Sequence, residues 1–397
     1  LGPRQGALLC TAGAAGDAVA EPEMSVRLLA MAPALAAAAP LQCGFATDMI
    51  PSCPTCLQAA RKTGALDFWW NWKTGPEVDF HGIPEDEVRE FRSNFVPMVW
   101  GSDAPAGGYG FLQTSTYVMG FNEPDLYGPA CVGEWNPPAH GCQPGENRPA
   151  TSAGWAPLFD PSKGTPQDPH GATLWQRIMQ QMVAAPGAGP VKVVSPSMAG
   201  NARGEHSCIG VDPALPNSIK MCNGWLAEFK KYTLTMPCRD FSGAQTNCWD
   251  VIDNIQIHAY ARTAQEVKEK IRGYYEVFQE DFEGFNGRKK KTLWLTEVSM
   301  GSNNATEILP YVDALMNAKD GLTNRATFWY VEKVSWFSSY GFSSFSLPDY
   351  EPRQYEVWSS SLFAPFGHLS PLGERFFALC KAGADAARRR LDGAVHV

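Results

Sequence analysis

The chain has 397 residues, 44 % of them apolar, enough to bury a large core as two average domains or as one barrel. Its 41 acidic side chains against 33 basic ones give a formal net charge of −8, which argues against the clustered cationic surface that nucleic-acid binding requires. The dense basic runs, Arg288-Lys289-Lys290-Lys291 and Arg388-Arg389-Arg390, are short and read as solvated surface near helix ends. No apolar stretch in the body of the chain is long enough to span a membrane.

The N-terminal stretch has a different character. From Met24 the chain reads Ser25-Val26-Arg27, then an apolar run from Leu28 to Ala39, then Pro40, with small residues at Ala36–Ala38. That order of basic, apolar and small residues predicts a signal peptide over 24–40 and a mature chain from about Leu41, with 1–23 a disordered upstream extension; an Ala-rich disordered tail is the alternative.

Beyond it, short β-rich runs alternate with helical or loop stretches. They are 44–46, 66–70, 94–100, 117–121, 191–195, 251–258, 292–296 and 326–330 leading on to Trp336. Between them, Leu174–Val183 and Ala264–Phe278 carry the apolar spacing of amphipathic helices. This alternation, with no internal repeat and no clean linker, predicts one (β/α)8 TIM barrel of the α/β class. The Gly- and Pro-rich stretches 126–170 and 200–250 are expected as long, disulfide-bearing loops on its C-terminal face.

Cysteine usage points to export. Leaving out Cys10, ten cysteines remain, and Cys131/Cys142, Cys208/Cys222 and Cys238/Cys248 bracket loop-like segments. Cys53-Pro54-Thr55-Cys56 has the spacing of a redox pair or half a zinc site, but no second such pair and no matched histidine spacing follows, so no metal is expected. Asn304-Ala305-Thr306 is an N-glycosylation acceptor pattern.

Three signals fall at the ends of predicted strands: Gly120-Phe121-Asn122-Glu123-Pro124-Asp125, Ile257-His258-Ala259-Tyr260 and Trp294-Leu295-Thr296-Glu297. Taken singly, Asn-Glu-Pro also suits a turn, Glu297 could stabilise the start of the next helix, and His258 could be structural. Taken together, two glutamates at one mouth of a barrel have the makings of an acid and a nucleophile for glycoside hydrolysis, without any cofactor.

The ordered set Trp70-Asn71-Trp72, Phe95-Val96-Pro97-Met98-Val99-Trp100-Gly101, Gly120 to Asp125, Ser195-Pro196, His258-Ala259-Tyr260, Trp294 to Glu297 and Ser335-Trp336-Phe337 resembles the glycoside hydrolase family 128 catalytic core, a clan A family of β-1,3-glucanases, over about residues 43–380. The resemblance implies a retaining endo-β-1,3-glucanase spanning 41–397, secreted or in a cell wall, with a monomer expected and β-glucan as its partner. It also implies Glu123 as acid/base and Glu297 as nucleophile, Asn122 on the sugar 2-hydroxyl, Tyr260 holding the nucleophile and His258 supporting the strand end. Trp336, Trp72 and Trp100 would stack on sugar faces, with Asn71 also at the substrate. Ala259 stands where the family usually has an aromatic residue. A non-catalytic β-glucan-binding wall protein, another clan A specificity and a transglycosylase remain alternatives.

Overall fold

The computed structural model describes residues 39–46, 53–101, 105, 107–124, 170–198, 224–300, 304–337, 361–364 and 367–395. Residues 24–38 of the expected signal segment, 126–169 of the first expected loop and the pairs Cys131/Cys142 and Cys208/Cys222 lie outside them. No helix among the described residues is long and apolar enough to cross a membrane.

In chain order the elements are β1 (Gln42–Ala46), α1 (Pro54–Lys62), β2 (Phe68–Trp70), α2 (Glu85–Ser93), β3 (Tyr117–Met119), α3 (His170–Val183), β4 (Lys192–Met198), α4 (Gly224–Thr233), a hairpin of β5 (Pro237–Arg239) and β6 (Gln245–Asn247), β7 (Ile252–Tyr260), α5 (Ala264–Val277), α6 (Gln279–Glu283), β8 (Thr292–Ser299), α7 (Ala305–Met316), β9 (Val331–Trp336) and α8 (Pro371–Val395). Seven strands form one all-parallel sheet in the order β2-β1-β9-β8-β7-β4-β3.

The sheet curls on itself. Tyr117 of edge strand β3 reaches Trp294 of β8 with ring centroids 4.8 Å apart, although three strand spacings would separate these strands by roughly 14 Å in a flat sheet. Ala46, Phe68, Trp70, Val96, Met98, Met119, Val194 and Trp294, drawn from around this curl, meet in one buried interior cluster. A second, larger core fills the layer between sheet and helices.

The run at 94–100 is not a regular strand. It makes one parallel bridge to each edge strand, Trp69 with Phe95 and Met98 with Met119. Pro97 lies between them, lacks an amide donor, and contributes only its carbonyl, which accepts from Met119 N at 2.8 Å. The run at 326–330 also differs from expectation: the strand starts at Val331 because Arg325 holds the preceding residues in a turn, donating to the carbonyls of Phe328, Trp329 and Val331.

Three disulfides are described. Cys238–Cys248 has the expected partners, but it closes the β5/β6 hairpin just before β7 starts, so it lies by the N-terminal end of that strand and not on the C-terminal face. The stretch 224–250 is accordingly helix and hairpin where a loop was expected. Cys43–Cys380 ties β1 to α8, and Cys53–Cys56 closes the start of α1.

The basic run 288–291 is not simply solvated. Lys291 is fully buried, donates to the carbonyls of Trp249 at 3.2 Å and Ile252 at 2.6 Å, and burial pulls its pKa down to about 8. Lys289 pairs with Asp253 at 2.7 Å and Lys290 lies over the Trp329 ring.

The N-terminal end of the curl is plugged by Glu332. Its carboxylate accepts from Asn254 Nδ2 at 2.9 Å, Trp294 Nε1 at 3.2 Å, Thr292 Oγ1 and Tyr117 Oη. Beside it Lys333, 4 % exposed, lies 4.8–4.9 Å from the ring centroids of Phe68, Tyr117 and Trp294. Removing one carboxylate would leave donors from β3, β7 and β8 unmatched. Glu332→Ala is expected to lower stability by about 3 kcal/mol, read as a fall in the urea midpoint; a midpoint within experimental error of the parent would refute this role.

Candidate active site

The parallel sheet delivers side chains from several strands to one end. Asn122 and Glu123 follow β3, His258 and Tyr260 end β7, Glu297 lies near the end of β8, Trp72 follows β2 and Phe337 follows β9.

Close backbone packing positions Glu123. Gly120 lies where a Cβ would come within 2.8 Å of the Trp175 ring and 2.9 Å of Pro196 N, so only glycine lets this turn approach β4. Beyond it, Ser197 N donates to Phe121 O at 2.9 Å and Asn122 N to Trp100 O at 3.0 Å. Glu123 then adopts φ +44°, left-handed backbone that is unusual outside glycine. Pro124 disfavours the right-handed helical alternative; the left-handed turn itself costs about 1–2 kcal/mol. The turn brings the carboxylate to His258 at the C-terminal end of the curled sheet.

There it meets His258, which is fully buried. His258 Nδ1 lies 2.9 Å from Glu123 Oε1 and 3.4 Å from Glu297 Oε2, between the two carboxyls. Burial alone would lower the imidazole pKa, but Glu297 and Glu123 more than offset it and the net shift is upward. The other ring nitrogen, Nε2, is buried with no partner among the described residues.

Glu297 is 4 % exposed. The Trp72 indole donates to its Oε1 at 3.0 Å and the Tyr260 hydroxyl donates to its Oε2. Burial pushes its pKa up, with Glu123 adding to the rise; His258, Tyr260 and Trp72 oppose it. Donor atoms of Glu123, His258 and Glu297 all lie within 4.8 Å of one another. That spacing could also gather a metal ion, but a ligating imidazole normally anchors its second nitrogen, and Nε2 lacks such an anchor among the described residues. The arrangement suits proton transfer and nucleophilic attack between two carboxyls better.

The aromatic residues divide. Trp72, Tyr260 and Phe337 form a wall beside Glu297, with ring centroids 5.9 Å apart for Trp72–Phe337 and 5.5 Å for Tyr260–Phe337. Trp100 is half-buried against the interior cluster. Trp336, expected to stack on a sugar, is fully buried between Tyr311 of α7 and Phe376 of α8, outside the sheet. Strand alternation explains this: Ser335 points inward, accepting from Trp70 Nε1 at 2.9 Å, so Trp336 points outward and Phe337 inward again. Phe337 is the aromatic of this pair that reaches Trp72 and Tyr260, and alternation from an inward Ser335 is the signal that finds it. Asn71, expected at the substrate, is occupied by its own loop: Nδ2 donates to the carbonyls of Gly75 and Pro76 at 3.1 Å, and Oδ1 accepts from Lys73 N at 3.2 Å. Asn122 lies beside Glu123, 4 % exposed, and its Oδ1 has no partner among the described residues.

A carboxyl whose pKa is raised in the folded state binds its proton more tightly there than in the unfolded chain. Ionising it therefore costs stability as pH rises through the window above the ordinary carboxylate value, and nothing is lost below that value. Glu297→Gln is expected to melt higher than the parent at neutral pH, with the gain shrinking as pH falls towards 4. Calorimetry across that range checks it; a gain independent of pH would show that Glu297 ionisation is not the cause.

The chain matches the family described as glycosyl hydrolase catalytic core over residues 46–135 and 160–376. Among solved structures it is similar to a family 128 (subgroup VI) exo-β-1,3-glucanase from Aureobasidium namibiae, at 15 % identity over 84 % of this chain and 96 % of that one, TM-score 0.45. It is similar as well to a glucosidase from Croceicoccus marinus, at 11 % identity over 88 % and 70 %, TM-score 0.45. A third is a monomeric β-xylosidase from Caulobacter crescentus CB15, at 12 % identity over 86 % and 69 %, TM-score 0.43. Comparison with curated protein sequences returned no match. Because the family match takes in well over half of the chain, the protein belongs to the glycosyl hydrolase catalytic-core family.

Proposed function

We propose that the protein is a secreted retaining glycosidase that cleaves β-1,3-glucan from a closed (β/α)8 barrel, with Glu123 as acid/base and Glu297 as nucleophile. The observation that carries the reading is the carboxyl spacing. Oxygens of Glu123 and Glu297 lie within 4.8 Å of each other, near the ~5–5.5 Å carboxyl separation of retaining enzymes and short of the ~6.5–9.5 Å that leaves room for an attacking water. The bridges from 95–98 to both edge strands support closure of the barrel. The ordered β-1,3-glucanase-like motifs support the substrate class, and the buried disulfides support export.

In this reading the donors divide the work. Trp72 and Tyr260 donate to Glu297 and favour the negative charge a nucleophile needs, and Glu123 takes the acid/base role. Glu123 gives that proton to the departing glycosidic oxygen while Glu297 attacks the anomeric carbon and forms a glycosyl ester. Glu123 then takes a proton from water, which attacks the same carbon and releases Glu297. Asn122 Oδ1 is placed to accept from a sugar hydroxyl, and the wall of Trp72 and Phe337 offers apolar surface to a ring face.

Laminarin, curdlan, lichenan and cellulose should separate the substrate class, with activity expected on the first two. Glu123→Gln and Glu297→Ala should each lower kcat by several orders of magnitude while the fold survives. Glu123→Gln should retain turnover of an aryl glycoside whose leaving group departs without protonation. Glu297→Ala should regain turnover with azide, giving product of inverted anomeric configuration; the opposite pattern would exchange the two roles, and parent-like rates in either would end the proposal. Trp72→Phe keeps the ring and removes the donor, so kcat on laminarin should fall about tenfold or more with KM little changed, and an unchanged kcat would show that the indole N–H does not serve the nucleophile.

A further inference from the structure

The motif Cys53-Pro54-Thr55-Cys56 has no part in the reaction proposed above. It stands on the outer layer at the start of α1, with Cys53 as the N-cap and Pro54 as the first helical residue. The two sulfurs form a disulfide that closes a separation of only three positions. So small a loop removes little freedom from the unfolded chain, in contrast to the separation of 337 spanned by Cys43–Cys380. Structural stabilisation is therefore a weak reason for this bond.

Access separates it from the other two described disulfides. Cys43, Cys380, Cys238 and Cys248 are all 4 % exposed or less, so neither of their bonds can be approached in the folded state. In the third bond Cys56 is 3 % exposed, but Cys53 is only half-buried. The Cys53 sulfur is also prepared to hold charge. It accepts from Cys56 N at 3.2 Å, and the Thr55 hydroxyl donates to it at 3.1 Å. It caps the positive end of a nine-residue helix whose first turn has no acidic side chain. A thiolate there is stabilised by the same groups that lower the pKa of reactive cysteines at helix starts. Thr55, whose hydroxyl touches the Cys53 sulfur, also lines a groove of about 560 Å³ beside α1, together with Gln58, Lys62, His368 and Glu374.

We propose that Cys53–Cys56 is a thiol-exchange site, opened by low-molecular-weight thiols in the folded protein, with Cys53 as the sulfur attacked. A thiolate bonds to Cys53 Sγ, the Cys53–Cys56 bond breaks, and Cys56 leaves with the electron pair and takes up a proton. A second thiolate attacks the external sulfur of the mixed disulfide and releases Cys53 as a thiolate. Two thiols are oxidised to one disulfide, and their two electrons reduce the protein bond. Run in reverse, an external disulfide re-forms it. The inference is independent of the glycosidase reading.

The test uses the folded, oxidised full chain, exposed to increasing reduced glutathione, quenched with acid, alkylated and mapped by peptide mass spectrometry. Cys53 and Cys56 should become alkylated at glutathione concentrations at least tenfold below those that open Cys43–Cys380 or Cys238–Cys248, and the trapped glutathione adduct should sit on Cys53. In Cys56→Ser, whose folding is checked by circular dichroism, Cys53 should alkylate with a midpoint below the ordinary thiol value of about 8.5. Opening of all three bonds together, an adduct on Cys56, or an ordinary midpoint for Cys53 would each overturn the proposal. The first of these can be read on the parent protein even if the variant does not fold.

Discussion

Two carboxyl groups and an imidazole share a space less than 5 Å across, with Glu297 and His258 almost wholly removed from water. Burying charge in this way is unfavourable unless each charge has partners. Much of the C-terminal end of the sheet can be understood as supplying them. Strand β7 contributes His258 and Tyr260 two residues apart, on one face, so the imidazole and the hydroxyl both reach Glu297. Strand β2 sends Trp72 across from the other side of the mouth, and the turn after β3 accepts left-handed backbone at Glu123 to bring the second carboxyl within reach.

The side-chain hydrogen bonds recorded to Glu297 come from an indole and a phenol, and neither donor is a cation. Neutral donors stabilise a carboxylate by direction and proximity, without fixing it as strongly as a guanidinium would. Such a carboxylate remains sensitive to the charge of its neighbour, and so the protonation of one glutamate is felt by the other. The loop that carries Trp72 is accordingly held firmly: Asn71 bonds three of its backbone groups and Met98 N donates to Lys73 O at 2.9 Å. An asparagine that looks like a ligand for substrate instead fixes the residue that touches the glutamate.

Much of this arrangement was legible in the residues alone. Apolar runs separated by helical periodicity marked the parallel strands, and their ends marked Asn122, Glu123, His258, Tyr260 and Glu297, because a curled parallel sheet brings strand ends together however far apart they lie in sequence. Legibility failed where facing direction decides. Trp336 and Phe337 are adjacent aromatics, and only the inward Ser335 shows that the first belongs to the helix layer and the second to the cleft. It failed again at 94–100, where Pro97 makes an apolar run into two isolated bridges, and at 326–330, where one arginine satisfying three carbonyls replaces strand pairing. The partner of Cys43 could not be chosen among the nine other cysteines without knowing that β1 and α8 are neighbours.

That neighbourhood has a consequence for synthesis. Strand β1 pairs on one side with β2, which follows closely, and on the other with β9, where Cys43 stands opposite Val334. A chain emerging from the ribosome therefore carries one unsatisfied edge of β1 until nearly all the other strands have been made, and an open edge is a template for wrong partners. Closure comes late, when β9 occupies that edge and α8 packs behind it. The bond from Cys43 to Cys380 can form only then, so oxidation of this one pair reports that the first strand waited for the right neighbour.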